Sequence, residues 1–213
     1  MKLINPSFEI LTEVNQDNFL LIVEKAARTC YKSESKISSG SAEKLVRNLI
    51  KNQHLAMLEH APSITVKFIN DRAFTHELVR HRLCAFAQES QRFVDATKTG
   101  DIEFIVPTWA RNKIHDPILS DACRIFIDNC ALAEKAYKEL RTAGLKPQEA
   151  RGVLPNATKT EIVCTANLRE WRHILSLRTA PDAHPDMQYT MKMLQKRFIN
   201  LLPVFFEDIP QGD

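Results

Sequence analysis

Apolar residues recur along this chain at two spacings, one typical of helices and one typical of strands. Phe19, Ile22, Val23 and Ala26 lie on one stripe of a helix that the pattern predicts over residues 18–29. The same helical spacing predicts further helices over residues 41–52, 71–82, 117–141, 167–178 and 185–202. A short helix is also expected from Pro147 to just before Pro155, with Arg151 inside it.

The predicted helices have expected ends and expected buried faces. Ser41 should cap the 41–52 helix, with Leu45, Leu49 and Ile50 facing inward. Asp71 should begin the 71–82 helix. The 117–141 helix should stop before Gly144. Its apolar side is expected to consist of Ile118, Ala122, Ile125, Phe126, Cys130, Ala133 and Tyr137.

Strands are predicted where apolar and polar residues alternate. Ile64, Val66 and Phe68 alternate with polar neighbours, and Ile102, Phe104 and Val106 repeat the pattern before Pro107. Shorter strands are expected over residues 8–11 and 161–164. The chain lacks the regular strand–helix alternation of a doubly wound sheet, so we expect one α+β domain over residues 1–213. Its sheet should be mostly antiparallel or mixed and packed by helices.

Composition narrows the class of protein. The chain has 213 residues, 44% of them hydrophobic, and no apolar run near the roughly 18 residues that a membrane span needs. The N-terminal segment has no signal-peptide pattern, and a net charge of +3 does not indicate a nucleic-acid surface. The five cysteines form no CxxC pair, which favours reduced, mostly buried thiols in a cytoplasmic protein. The five glycines form no nucleotide-binding loop.

The segment of residues 80–93, RHRLCAFAQESQRF, concentrates the chemistry. Arg80, His81 and Arg82 would close the 71–82 helix, where cations favour the C-terminal dipole. A basic last turn followed by a solvated loop is the plain interpretation. However, Leu83, Cys84 and Phe86 are suited to anchoring the loop, and a second polar cluster follows them. Arginines that converge in this way are suited to an anionic, planar ligand.

A metal site is not expected. His76 and Glu77 begin a near match to HExxH, but the second histidine is His81, five residues after the first. Five residues rotate a helical side chain by about 140° from its start, so these two histidines cannot share one metal on one face.

Four separated motifs resemble those of the flavin-dependent thymidylate synthases. Arg80-His81-Arg82 with Ser90 matches the RHR-x7-S motif of that family, with Arg92 at its next arginine. His54 and Glu59 match H-x4-EH, and Arg151 lies in an Ala-Arg…Leu-Pro segment. The segment of residues 167–178 is similar to the family's N-x-R…LR element. Without the family, Arg151 would be read as a surface arginine, and residues 167–178 as an amphipathic helix.

The resemblance implies a role for each matching residue. Arg178 would be catalytic, acting on the pyrimidine. The residues expected to bind FAD are His54, Ala56, Glu59, Arg80, His81, Arg82, Asn167, Arg169 and His173. The residues expected to bind the substrate dUMP are Glu77, Arg80, Gln88, Glu89, Ser90, Gln91, Arg92, Arg151 and Arg178.

The resemblance also implies the reaction and the assembly. Methylenetetrahydrofolate would give a carbon to dUMP, and FAD reduced by NADPH or NADH would supply the hydride, with no covalent protein nucleophile. Family members are homotetramers with sites between subunits. This chain departs from the family at Gln88, which replaces a glutamate, and at Ala85 and Phe93, which replace a serine and a tyrosine. Two alternatives stay open: a flavin-dependent relative with another one-carbon product, and a non-catalytic nucleotide sensor.

Overall fold

The computed structural model describes residues 1–98, 100–111 and 120–210. Within these ranges the strands are β1 (Lys2–Ile4), β2 (Ser7–Ile10), β3 (Ile64–Asp71), β4 (Ala85–Gln88), β5 (Glu103–Ile105) and β6 (Lys159–Ala166). The α-helices are α1 (Gln16–Thr29), α2 (Ser41–Lys51), α3 (Arg72–Leu78), α4 (Ser120–Thr142), α5 (Pro147–Ala150), α6 (Leu168–Arg178), α7 (Pro185–Leu201) and α8 (Pro203–Phe206). Short 3-10 helices cover Glu34–Lys36, Leu55–His60, Thr108–Ala110 and Arg151–Val153.

The strands form two sheets. In the smaller sheet β1 pairs with β5 in parallel, with Leu3 opposite Phe104. The larger sheet has the order β2-β3-β6-β4. Helices and sheets together confirm the expected mixed class in its coarse form. None of the helices formed by the described residues is long and apolar enough to cross a membrane.

The chain divides into two compact units, each assembled from separate segments. Unit 1 contains the described residues of Met1–Phe8, Lys67–Arg80 and Phe86–Val163. Unit 2 contains those of Glu9–Val66, His81–Ala85 and Cys164–Asp213. The chain passes between them several times, so no single cut in the sequence separates them.

Unit 1 has a core around the long helix α4. Ile102, Phe104, Cys130, Tyr137 and Ala150 are all buried there. Tyr137 keeps its hydroxyl bonded, since it accepts from the amide of Ala96 at 3.2 Å. The alternation of Ile102 and Phe104 that predicted a strand therefore supplies one wall of this core. The apolar face of α4 supplies the opposing residues.

Unit 2 has an aromatic core in which α6, α7 and α8 meet. The ring of Trp171 meets that of Phe198 edge-on, with centroids 5.5 Å apart, and Phe198 contacts Phe206 at 4.9 Å. The indole of Trp171 donates to the carbonyl of Ile64 at 3.0 Å, so its buried polar atom has a partner. This bond ties α6 to the first residue of β3.

The end of α3 corrects the expectation for residues 71–82. Asp71 caps the helix rather than forming its first residue, since its carboxylate accepts from the amide of Phe74 at 2.7 Å. The helix ends at Leu78, and the amide of Arg80 then bonds three residues back to Glu77 in a tighter turn. Arg80, His81 and Arg82 therefore do not form a helical turn. His81 is instead buried through contacts distant in sequence, which helical periodicity does not report.

Other local expectations were also wrong. Gly40, with a φ of 76°, caps α2 in place of Ser41, whose hydroxyl donates to Glu24 at 3.0 Å. Val46 is buried in α2, and Leu45 is only half-buried. Ile125 is 67% exposed although it was assigned to the buried side of α4. Residues 85–88 form β4 rather than a loop, because they pair at the edge of the larger sheet.

The remaining element predictions hold, with small shifts. Strand β2 begins one residue earlier than expected, and α1 begins two residues earlier because Asn15 caps it. Strand β6 is longer than predicted, and alternate residues of it are buried. Residues 117–119, including Ile118, lie outside the described residues. Strand β1 was not predicted, because three residues give too little pattern.

We predict that the aromatic core of unit 2 dominates its stability. Phe198→Ala should lower the free energy of unfolding by about 3–5 kcal/mol, because it leaves a cavity among packed rings. The matched change Phe93→Ala should cost less than about 0.5 kcal/mol, because Phe93 is 79% exposed. Urea unfolding followed by circular dichroism measures both. Equal losses in the two variants would contradict this account of the core.

Candidate active site

Helix α6 and its capping residue carry four of the nine candidate residues of unit 2, and the position of the helix follows from its sequence. Asn167 caps the helix, since its side-chain oxygen accepts from the amide of Glu170 at 2.9 Å. Leu168, Trp171 and Leu175 are buried as predicted. The helix runs to Arg178, as the sequence indicated. The opposite face, with Arg169 and His173, is exposed.

An ion pair joins two of the sequence motifs. Arg169 on α6 donates to the carboxylate of Glu59 at 2.7 Å. Glu59 lies on the 3-10 helix Leu55–His60, which follows His54 directly. The H-x4-EH and N-x-R motifs, 110 residues apart, therefore lie side by side in unit 2. Both charges are about half exposed, so the pair aligns the motifs more than it stabilises the fold.

His81 is the centre of a second cluster. Its ring is buried, and its Nε2 lies 3.0 Å from the Nε of Arg178, which donates to it. Its Nδ1 lies 3.5 Å from the carboxylate of Glu170, which is also buried. The ring of His173 meets that of His81 edge-on at 5.8 Å. The histidine of the RHR motif thus contacts the last arginine of the N-x-R…LR element.

The electrostatics of this cluster keep His81 neutral. Burial, followed by the charge of Arg178 and then by His173, lowers the pKa of His81 from 6.5 to about 4. Burial raises the pKa of the Glu170 carboxyl, although His173 and Arg169 oppose that rise. An imidazolium here would face the guanidinium of Arg178 directly. A neutral ring can instead accept its hydrogen bond.

The same cluster is the group of metal-ligating side chains found among the described residues. The ligand atoms of His81, Glu170 and His173 lie within 4.8 Å of one another. Arg178 is a donor only, so the Nε2 that it contacts is an acceptor and the His81 proton lies on Nδ1. That proton blocks the nitrogen that faces Glu170. A metal would also face the cation of Arg178, so these bonds disfavour a metal site.

Two cavities adjoin these residues within unit 2. One of about 630 Å³ is lined by Arg169 and His173, together with Leu55 and Leu83. Leu83 is 75% exposed, so it does not anchor the 80–93 segment as expected, but it gives this cavity an apolar wall. The carboxylates of Glu170 and Asp208 also line the cavity, so this mixture of charged, imidazole and apolar side chains fits a planar aromatic group with polar edges.

The second cavity, of about 590 Å³, lies beside the start of the 3-10 helix. His54 and Ala56 line it, together with Cys30 and Tyr31. The sequence match placed His54 and Ala56 in the cofactor set. The structure adds Cys30 and Tyr31, which the sequence analysis did not assign to the site.

Five of the eight predicted substrate residues of unit 1 lie at the end of β4 and in the loop after it. The amide of Gln88 donates to the hydroxyls of Thr75 at 2.9 Å and Thr160 at 3.4 Å. The backbone amide of Glu89 donates to the carbonyl of Glu161 at 2.9 Å, which continues the pairing beside β6. Gln88 therefore has a structural partner on each side. A glutamate at this position would accept from these hydroxyls instead.

The loop after β4 presents the next candidates. The hydroxyl of Ser90 accepts from the amide of Arg92 at 3.3 Å and so forms a local turn. The Arg92 side chain is exposed, and its guanidinium lies 5.3 Å from the Phe93 ring. Gln91 is half-buried beside a cavity of about 100 Å³.

The remaining candidates of unit 1 lie on separate elements. Arg151 is exposed on the 3-10 helix Arg151–Val153, and its charge contributes to lowering the pKa of Arg72, after burial. Arg80 is exposed after α3, and Glu77 is half-buried on α3. Arg82 belongs to unit 2 and is also exposed.

The predicted FAD residues and the predicted dUMP residues fall largely into different units. Apart from Arg80, the predicted FAD residues belong to unit 2. Apart from Arg178, the predicted dUMP residues belong to unit 1.

Sequence reasoning missed one acidic and one basic side chain on α6, Glu170 and Arg172. Glu170 is buried beside His81, and its spacing from His173, three residues on, was the available signal. Arg172 is also buried and makes paired bonds of 2.6 Å to the carboxylate of Asp208, besides a bond to the carbonyl of Phe205. These two parallel hydrogen bonds attach the segment after α8 to α6. No local sequence signal singled out Arg172, because its partners are distant along the chain.

We predict that His81 makes the fold sensitive to mild acid. Its pKa is depressed, so between about pH 6.5 and pH 4 the unfolded chain binds a proton that the folded chain does not. Stability should therefore fall as pH falls, by about 2 kcal/mol between pH 7 and pH 4.5. Urea unfolding of the unliganded protein at several pH values measures this loss.

The control is the difference between two histidine variants. His81→Gln should remove most of this slope, whereas His76→Gln, at an exposed position on α3, should retain it. If His81→Gln keeps the full slope, other groups cause it and the neutral buried imidazole is wrong.

Comparisons with known proteins agree on one family. The family model described as "Thymidylate synthase complementing protein" matches residues 11–204. A flavin-dependent thymidylate synthase of Mycobacteroides abscessus is 34% identical over 201 residues, covering 88% of this chain and 78% of the relative. The enzyme of the same name from Corynebacterium efficiens is 35% identical over 201 residues, with the same coverage of both chains.

Solved structures give the same result for the fold. The structure of a UMP/dUMP methylase, PolB from Streptomyces cacaoi, bound with 5-Br dUMP has a TM-score of 0.79 and 28% identity to this chain. The match covers 97% of this chain and 96% of that chain. The same methylase bound with 5-Br UMP has a TM-score of 0.75 and 26% identity, and the match covers 97% and 95% of the two chains. By the family model and by these relatives, the chain belongs to the thymidylate synthase complementing protein family, that of the flavin-dependent thymidylate synthases.

Proposed function

We propose that this protein methylates dUMP to dTMP as a flavin-dependent thymidylate synthase. Family membership supports the reaction class. The observation that carries the proposal is the 3.0 Å hydrogen bond from Arg178 to His81. It joins the residue expected to act on the pyrimidine to the motif expected to hold the flavin, and so brings the two halves of the reaction to one cluster.

The proposal assigns FAD to the residues of unit 2. The cavity lined by Arg169 and His173 and the one lined by His54 and Ala56 fit a large aromatic, phosphate-bearing group. Glu59 holds Arg169 in place, and Asn167 combines helix capping with its proposed contact. When bound, reduced flavin supplies the hydride that completes the methyl group. NADPH or NADH as the reductant and methylenetetrahydrofolate as the carbon donor are part of the same proposal.

The nucleotide would be held by charge at both ends. Arg92 and Arg151 are exposed guanidinium groups suited to a phosphate, which they can bind with two bonds each. The end of β4 and the loop after it would contribute further contacts, from Gln88, Glu89, Ser90 and Gln91. Arg178 would face the pyrimidine, where its positive charge favours the ionised ring that attacks the one-carbon donor.

The assembly and the cellular location follow from the same proposal. A homotetramer with sites between subunits would combine site residues from more than one chain. Ile125 and Leu132 are exposed seven residues apart on α4, and such apolar residues are suited to contact with another copy. All five cysteines lie in the described residues and are unpaired, which fits the reducing cytoplasm.

Methylation of UMP is a second candidate. The PolB structures favour it, because that methylase is described as acting on both UMP and dUMP. The two nucleotides differ by the ribose 2′-hydroxyl, and a site built for dUMP should reject the extra group only modestly unless it fills the space. Competition between UMP and dUMP, with both products identified by mass spectrometry, gives the ratio of kcat/KM.

We predict that purified protein binds FAD, oxidises NADPH faster when dUMP is present, and forms dTMP. Arg178→Ala should lower kcat by about 10²–10³-fold, because a preorganised charge contact at the transition state is lost. Flavin absorbance, NADPH oxidation and product mass measure these steps in turn. The thermal unfolding midpoint of the variant should stay close to that of the wild type.

The matched control is Arg124→Ala, which removes an exposed arginine of α4 paired with exposed Asp121. It should leave FAD binding and kcat unchanged. A wild-type protein that binds dUMP without FAD would favour a nucleotide sensor. Normal turnover in Arg178→Ala would remove Arg178 from the catalytic role.

No side chain is expected to form a covalent bond with the nucleotide. The Ser90 hydroxyl accepts from the Arg92 amide, and within the described residues no base is found bonded to it. Cys84 is half-buried beside Cys164, whose thiol pKa is raised by Cys84 and by burial. Cys84→Ala should therefore keep its turnover, and Ser90→Ala should lose mainly dUMP affinity. Intact-protein mass spectrometry after incubation with 5-fluoro-dUMP, folate donor and NADPH checks this, and an adduct on either residue refutes it.

A further inference from the structure

Glu170 is a buried carboxylate on α6 that none of the sequence motifs assigns. Its Oε1 lies 3.5 Å from Nδ1 of His81, and Nε2 of His81 accepts from Arg178 at 3.0 Å. The three side chains therefore form a line from carboxylate to imidazole to guanidinium. We propose that Glu170 is a positioning residue: it holds His81 in the one tautomer that can fix the orientation of Arg178. This inference rests on the proposed function, because Arg178 is the group that would contact the pyrimidine.

The tautomer follows from the donors and acceptors. Guanidinium nitrogens only donate, so Nε2 of His81 must carry its lone pair toward Arg178. The neutral ring then has its proton on Nδ1, which faces Glu170. A carboxylate only accepts, so it favours this tautomer and opposes the other. In the other tautomer, Nε2–H would point at Arg178 as donor against donor, and the guanidinium would have to turn away.

The acceptor-only character of the group explains why a carboxylate is needed. An amide at this position could turn its NH2 toward Nδ1 and so stabilise the wrong tautomer. The same logic applies to the carboxylate of a Ser-His-Asp triad, which sets the tautomer of its histidine. Burial of Glu170 carries a desolvation cost, and its facing groups are His81, His173 and Arg169. A merely structural position would be filled at lower cost by an apolar residue.

The first test needs no bound ligand. Nitrogen-15 NMR of histidine-labelled protein reports the proton position on each ring, and His81→Gln identifies the His81 signals among the seven histidines. At pH 7 we expect His81 as the Nδ1–H tautomer. In Glu170→Gln we expect a large Nε2–H population, with the signals of the histidines outside this cluster (His54, His60, His76 and His184) unchanged as evidence of folding. Wild-type His81 as Nε2–H or as imidazolium would overturn the inference.

The second test measures turnover in the FAD-loaded enzyme. Glu170→Gln should lower kcat at least about tenfold while KM for dUMP changes by less than about twofold, since one preorganised contact is misdirected. Glu170→Asp keeps an acceptor-only group and should recover the Nδ1–H tautomer and kcat to the same extent. Glu43→Gln, the same change at an exposed ion pair on α2, should alter neither the tautomer nor kcat.

The His81 tautomer and kcat together test whether Glu170 is a positioning residue. The inference holds if tautomer and kcat change together across the three variants, and it is overturned if either changes without the other. If the wild-type protein has no dUMP turnover, the proposed function fails, and the NMR result alone then confirms or overturns the carboxylate–imidazole–guanidinium line.

Discussion

The hydrogen bond between Arg178 and His81 is the contact on which the candidate site depends. It requires His81 to be neutral, and burial beside a guanidinium keeps it so by lowering the pKa of the ring to about 4. It also requires the ring proton to lie on the side of Glu170. Three conditions, namely burial, charge and tautomer, are met by residues that α6 and the turn after α3 bring into unit 2. Protonation of the buried His81 ring is unfavourable in the folded chain, so the fold should weaken in mild acid.

The parts of the fold that the sequence predicted are those governed by local pattern. Helix α6 was predicted almost to the residue, because Asn167 caps it and Leu168, Trp171 and Leu175 repeat at helical spacing. Strand β3 was equally clear from alternation. The end of α3 was not predicted correctly, because His81 contacts Glu170 and Arg178, which lie 89 and 97 residues away in sequence. Such contacts outweigh the modest preference of cations for a helix C-terminus.

The candidate residues themselves were found from motifs, and their partners were not. The motif matches named His81, Arg169 and Arg178, but no local signal indicated that Glu170 would face His81 or that Glu59 would pair with Arg169. Ile125 was misjudged, and Arg172 was not assigned, for a related reason. Helical spacing tells which residues share a face, and only packing tells whether that face meets another element.

The most direct measurement of the central claim is a single turnover without oxygen. Protein loaded with reduced FAD is mixed with dUMP and methylenetetrahydrofolate, and the nucleotides are then identified by mass. The account predicts dTMP in an amount equal to the flavin oxidised. Unchanged dUMP, with flavin and nucleotide both bound, would contradict it.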